Sequence, residues 1–399
     1  MNEFEVKGFQ FAGVAAGIKQ TEKTDLALIY SEKPAQVVGA FTTNKVKAAP
    51  VQVSQKNIRS GLCSAIISNS GNANACTGEQ GLRDAQLMVK ETARLLKVPV
   101  HQVLVCSTGK IGVPLPMERV VLGIPKVVAG LSSQNLNQAA EAILTTDLFS
   151  KISSAEGNLF GRPYRIAGFA KGAGMIEPHM APHATMLAYI VTDAFLPKSV
   201  MKTLFNNCVE ESFNRVTVDG DMSTNDTAFF LANGLAENKP FTLKTPECRK
   251  FADNLFNIME KLAKDMVKDG EGATKCVRLV VKGARNDADA RKIAYTIGNS
   301  PLVKTSFFGQ DPNWGRILGA IGRAGVPINP DKIDVNYGPI SVARRGLSTG
   351  PEKEAQAKEI MKQPEFDVTI DCHLGKGSHY IFASDLTLDY IKLNSCYRT

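Results

Sequence analysis

The stretch Lys171–Ala194, KGAGMIEPHMAPHATMLAYIVTDA, decides how this chain is read. It runs from a glycine-rich turn through a polar insert into an apolar strand. Gly172 and Gly174 free the backbone from the limits a side chain imposes, and Pro178 and Pro182 stiffen the path that follows. Met186, Leu187, Ala188, Tyr189, Ile190 and Val191 are apolar without alternation, which predicts a strand covered on both faces. Thr185 stands where the loop meets that strand. Cutting the bond between Ala184 and Thr185 would give Thr185 a free α-amine, whose pKa of roughly 8 makes it a base for its own hydroxyl. One residue would then be both nucleophile and base. Taken alone, the stretch favours the plainer reading of Thr185 as an ordinary β-branched residue that opens a strand.

Working outward, Leu26–Tyr30, Val37–Thr42 and Ser64–Ser68 read as short strands rich in β-branched and aromatic residues, parted by Pro, Gly and Asn turns. Asp84–Val98 carries Ala85, Met88, Val89, Thr92 and Leu96 on one face and is stopped by Pro99, the pattern of an amphipathic helix. Alternating sheet and helix make the class α/β or α+β. Between them Asn69–Gly81, NSGNANACTGEQG, is too rich in Gly and Asn for an element interior; it is either a loop approaching a ligand or a compact turn that sets the next helix.

A strand over Val103–Gly109 ends in Ser107, Thr108 and Gly109. A glycine N–H beside a threonine hydroxyl is what an oxyanion hole needs, and it is also a common strand-to-turn passage. The spacing GxxxxGK[ST] is not met there, so no nucleotide site is supported. Ala139–Leu148 holds TTD, residues 145–147, whose side chains could equally satisfy a helix end. Lys171, in a loop close to Thr185, offers an ammonium for a substrate carboxylate. A second amphipathic helix, Asn254–Lys268, ends at Gly270, and Glu271 follows in the loop before a strand at Val277–Val281. Near residues 282–290, KGARNDADA, the composition turns polar, and a soft domain boundary is drawn there.

The chain has 399 residues, more than one core usually serves, so two domains are expected. A hydrophobic fraction of 44% with 22% charged residues is that of a soluble globular protein. The formal charge of +8 is scattered, with no basic run, which argues against nucleic acid as partner. Eight cysteines form no CxxC pair and read as reduced core residues. The five histidines form no HExxH pattern, so no metal is expected, although His179 and His183 flank Pro182. MNEFEVKGFQ at the start has no signal or transit character, and no run nears the roughly 20 apolar residues of a membrane span. A cytoplasmic protein is the expectation.

The strings GVAAGIK, DLALIYSEKPAQVVGAFTTNKVKAAPV, NSGNANACTGEQG, STGKIG, TTD, KGAGMI, ATML, TVDGDMSTNDT, GEGATK and DPNWGRI occur in one order from end to end. In them the chain resembles the ornithine acetyltransferase (ArgJ) family of arginine biosynthesis. The resemblance implies a layered sheet-and-helix sandwich of the DmpA/ArgJ type. It implies a main catalytic unit, 1–284, that cleaves itself between Ala184 and Thr185, and a smaller C-terminal α/β domain, 285–399. The mature chains would be 1–184 and 185–399, assembled as a heterotetramer with two of each.

By the same resemblance Thr185 is the nucleophile, Thr108 and Gly109 form the oxyanion hole, and Thr145, Lys171, Thr185, Glu271, Asn394 and Thr399 bind substrate; whether Thr145 or Thr146 makes the contact is left open. The implied reaction moves acetyl from N-acetylornithine to glutamate through acetyl-Thr185, with no metal or nucleotide cofactor and with acetyl-CoA open as a further donor. One departure from the family pattern is the insert EPHMAPH before ATML, about three residues longer than usual. The runner-up reading is an aminopeptidase or amidase of related fold, in which water replaces glutamate.

Overall fold

The computed structural model describes residues 4–177, 180–181 and 186–396. Ala184, Thr185, His179, His183 and Thr399 lie outside them, so the expectations placed on those five are not tested by the geometry.

Among the described residues the strands build two sheets, of nine and seven strands. The first takes β1 (Phe9–Val14), β2 (Leu26–Thr42), β3 (Leu62–Asn72), β4 (Val103–Lys110), β5 (Lys151–Leu159), β6 (Arg162–Lys171), β7 (Met180–Ala181) and β8 (Leu187–Thr192). The chain then places β9 (Val216–Thr217) in the second sheet and returns with β10 (Thr227–Ala232) to the first. The rest of the second sheet is β11 (Cys276–Ala284), β12 (Asp334–Tyr337), β13 (Ile340–Arg344), β14 (Leu347–Ser348), β15 (Glu365–Asp371) and β16 (Gly377–Ser384). The strand orders are β4-β3-β2-β10-β8-β6-β5, with β1 and β7 on β2, and β14-β13-β12-β15-β11-β16-β9.

β8 and β10 run parallel at the middle of the first sheet, and every residue of LAYIVT and TAFFLA is buried. Unbroken apolar strands are what a sheet covered on both faces demands. The polar tips inside are satisfied: the Tyr189 hydroxyl meets Ser68 Oγ at 2.7 Å, and the Thr192 and Thr227 hydroxyls donate to Arg165 O at 2.7 Å and Asn225 O at 3.0 Å.

On one face of the first sheet α2 (Gly78–Leu96) and α3 (Met117–Ala129) pack with Leu26 and Leu28 of β2, on the other α4 (Leu136–Ala142) packs with Phe11 of β1 and Ile29 of β2, and α1 (Ala49–Asn57) contributes to both clusters. Between the sheets lie α5 (Lys198–Glu211) and α6 (Pro246–Lys268). Leu255, Leu262 and Met266 of α6 share one cluster with Ile190 and Phe230 of the first sheet and Val216, Cys276 and Phe382 of the second. Each such buried side chain contributes about 1.5–3 kcal/mol. Beyond the second sheet pack α7 (Asp287–Gly298), α8 (Pro301–Phe308), α9 (Trp314–Gly322) and α10 (Pro351–Met361), and α11 (Leu388–Cys396) follows β16. The fold is a layered α/β sandwich, as expected.

Three details differ from the sequence reading. Leu26–Tyr30 and Val37–Thr42 are one strand, β2, whose register against β3 shifts between Tyr30 and Ala35. Pro34 sits in that irregularity, where a missing N–H costs no ladder bond. The polar run 282–290 is not a link between sheets: it joins β11, already central in the second sheet, to α7. Chain passes from the first sheet to the second twice, through β9 and through α6, because α6 needs apolar strands on both sides. Cys76 is exposed, unlike the buried Cys63, Cys106, Cys208, Cys248, Cys276 and Cys372. Among the described residues no helix is long and apolar enough to cross a membrane.

Candidate active site

β4 ends beside the bulged end of β3, and the two backbones touch. A Cβ on Gly109 would lie 2.4 Å from the carbonyl carbon of Gly71, and Gly109 has φ +129, so only glycine fits. This contact fixes Thr108 and Gly109 at the wall of a cavity of about 230 Å³. Asn225 braces the same wall: its amide donates to Ala73 O at 2.6 Å and to Ser107 O at 2.8 Å.

Lys171 closes β6 opposite Leu187 at the start of β8. Its ammonium donates to Thr145 Oγ1 at 2.7 Å and lies 3.5 Å from Asp147 Oδ2. Asp147 also accepts from Thr145 N at 3.0 Å and Gly172 N at 2.7 Å, so one carboxylate orients both expected substrate-binding residues. Burial alone would raise the Asp147 carboxyl, but the ammonium groups of Lys171 and Lys151 outweigh it and hold it well below the usual carboxylate range.

The loop after Lys171 is shaped by what it passes. A Cβ on Gly174 would sit 2.5 Å from the Glu271 carboxyl carbon, so glycine is what lets that carboxylate rest on the loop. Glu271 N donates to Ala173 O at 2.9 Å. Asp219 accepts from the amides of Met175 and Ile176 at 2.7 and 2.8 Å. Burial pushes the Asp219 carboxyl above its usual value against the pull of those amides.

The second sheet completes the site. Asp385, just past β16, accepts from Thr274 N at 2.8 Å, Thr274 Oγ1 at 2.6 Å and Lys275 N at 3.0 Å, which anchors the loop carrying Glu271. Thr387 Oγ1 donates to Gly272 O at 2.7 Å. From α11, Asn394 Nδ2 donates to Glu271 Oε2 at 2.8 Å, and the Tyr390 hydroxyl reaches Asp219 at 3.4 Å.

Thr108, Gly109, Thr145, Thr146, Lys171, Glu271 and Asn394 therefore face one cavity. An adjoining smaller space is lined by Thr108, Lys171, Met186 and Leu187, the two residues after Thr185 in sequence. Thr145 also borders a larger cleft of about 880 Å³ walled by residues 18–24, Lys110 and Pro114. Sequence reasoning assigned no role to Asp219, Asp221, Ser223, Asn225 and Tyr390, which share the cavity wall. The signal was present in TVDGDMSTNDT, a polar run between two buried strands, too dense in side-chain acceptors for a plain turn.

The arrangement places one ammonium and several carboxylates around a small polar space beside a glycine N–H and a threonine hydroxyl. Such a wall suits acyl transfer on a small zwitterion, and a layered α/β protein with this site is an acyltransferase by class. The chain belongs to the ArgJ family, whose model matches residues 10–399. It is 50% identical over 394 residues to the arginine biosynthesis bifunctional protein ArgJ of Geobacter sulfurreducens, covering 99% of this chain and 100% of that one. It is 47% identical over 395 residues to the protein of the same name from Syntrophotalea carbinolica, again 99% and 100% covered. Among solved structures, the ArgJ of Bacillus halodurans is 39% identical, with a TM-score of 0.49, over 51% of this chain and 96% of that one.

Proposed function

We propose that this protein transfers an acetyl group from N-acetylornithine to glutamate by a two-step exchange through Thr185. The observation that carries the reading is the single cavity shared by Thr108, Gly109, Thr145, Lys171, Glu271 and Asn394. An amino acid brings one carboxylate and one ammonium into it, and a buried polar site must meet both. Lys171 takes the carboxylate and Glu271 the ammonium. Family membership supports the same reading.

After cleavage before Thr185, its α-amine takes the hydroxyl proton and Thr185 Oγ attacks the acetyl carbonyl carbon. The oxyanion is held by the Thr108 hydroxyl and the Gly109 N–H. The C–N bond breaks, the proton passes to the leaving amine of ornithine, and acetyl-Thr185 remains. The amine of glutamate then attacks that ester, and the steps run in reverse. One amide replaces another, so the chemistry calls for no nucleotide or metal. Acetyl-CoA is proposed as a second donor, with the cleft of residues 18–24, which shares Thr145 with the cavity, as its place of approach. The working form is proposed to be cytoplasmic, with two 1–184 and two 185–399 chains.

The test is to purify the protein, weigh its fragments and assay both donors side by side with glutamate. Fragments of 1–184 and 185–399 are expected, with one uncut chain for Thr185→Ala. Hydrolysis of N-acetylornithine without acetylglutamate would instead support the amidase reading. Activity that survives in Thr185→Ala sinks the acetyl-threonine route.

A further inference from the structure

Behind Lys171 lies a row of buried charge that the exchange reaction does not use. The side chains of Asp147, Lys151 and Asp269 are 0% exposed. Lys151 Nζ lies 2.8 Å from Asp147 Oδ1 and 2.5 Å from Asp269 Oδ2, with Phe149 O at 3.4 Å. Asp269 in turn accepts from Leu148 N at 3.1 Å. The signs alternate from Lys171 through Asp147 and Lys151 to Asp269, so the row is neutral and its polar atoms are met, the condition under which charge can be buried.

The spacing along the row is uneven. Asp147 makes a contact ion pair with Lys151 at 2.8 Å and a looser one with Lys171 at 3.5 Å. Lys171 is instead turned to Thr145 Oγ1, 2.7 Å away on the cavity wall. That oxygen accepts from Lys171, while the Thr145 hydroxyl points its own hydrogen at Asp147 Oδ2, 3.5 Å away. A site that needs one cation has no evident use for a second lysine and a second aspartate buried behind it, unless they control the first.

We propose that Lys151 is a positioning residue: by holding Asp147 it keeps that carboxylate from capturing Lys171, which stays available to the carboxylate of the incoming amino acid. Asp269 supplies the counter-charge that lets Lys151 remain buried as a cation. This rests on the reading of Lys171 as the carboxylate-binding group.

The experiment uses the processed protein and three enzymes: wild type, Lys151→Met, and Lys151→Met/Asp269→Asn. In Lys151→Met the nearest cation left to Asp147 is Lys171, and a lost charge-assisted hydrogen bond to substrate raises KM by about tenfold or more for both amino acids. Changes in kcat stay within about threefold. Two carboxylates with one cation can prevent folding, so the double variant restores neutrality. It is expected to melt close to wild type and still show the raised KM, because Asp147 still captures Lys171. A wild-type KM in the well-folded double variant overturns the proposal and leaves the row with a stabilising role only. An unchanged KM in Lys151→Met, or a loss confined to kcat, overturns it as well. If wild type itself moves no acetyl between these amino acids, the functional reading falls first and the proposal with it.

Discussion

Replacing Gly174 by alanine separates the site from the fold. The added Cβ would lie 2.5 Å from the Glu271 carboxyl carbon and 2.6 Å from each carboxylate oxygen, about an ångström inside the usual contact distance of roughly 3.5 Å. What it meets is the far end of a flexible side chain, and Gly174 is not among the residues with positive φ. The carboxylate can therefore swing away while the backbone stays put. The swing breaks the 2.8 Å bond from Asn394 and withdraws the charge expected to face the substrate ammonium. A hydrogen bond to a charged group is worth about 1.5–3 kcal/mol, which at about 1.4 kcal/mol per decade lowers kcat/KM by roughly 10- to 150-fold. Steady-state kinetics with N-acetylornithine and glutamate read the loss, and calorimetry on the same sample should find a melting temperature close to wild type. A kcat/KM within about threefold of wild type would refute the reasoning, and so would a large fall in melting temperature. Gly109→Ala is the contrasting case. Its Cβ meets Gly71 backbone at 2.4 Å with φ +129, and neither can yield, so that variant should lose stability and activity together.

Thr108→Ala should lower kcat by about 100-fold or more with KM nearly unchanged, since an oxyanion donor acts only as charge develops; a change confined to KM would assign Thr108 to substrate binding. Deleting Asn394–Thr399 should depress acetyl transfer while cleavage before Thr185 proceeds, because Asn394 holds the Glu271 carboxylate; equal kcat/KM with and without the tail would remove it from the site. The Asp147 carboxyl is held below its usual range, so the stability it contributes is present above its unfolded pKa of about 4 and is lost as pH falls below that value towards the depressed one. The melting-temperature gap between wild type and Asp147→Asn should therefore be widest near neutral pH and narrow on acidification below about 4; a constant gap would mean that Asp147 acts through shape alone.

Local pattern was enough for the elements. The unbroken apolar run after Thr185 predicted a fully covered strand, and β8 is one; the three- and four-residue spacing of Leu255, Ile258, Leu262 and Met266 predicted a helix, and α6 is one. The glycines at 109, 172 and 174 marked where backbone must come close to something. What they come close to is not written beside them. Gly109 answers to Gly71, Gly174 to Glu271, and Lys171 to Asp147 and Thr145, partners that lie 24 to 97 positions away in sequence. The break at Pro34 likewise looked like the end of a strand, because only the neighbouring β3 reveals that the irregularity is absorbed and the strand goes on. No single residue of TVDGDMSTNDT stood out along the chain; it is the cavity wall that draws Asp219 and Asn225 together with Thr108 and Tyr390. Periodicity and turn chemistry act between near neighbours and can be read along one chain. The pairing of buried charges and the meeting of backbones depend on which distant segments the packed layers bring into contact, and only the tertiary structure decides that.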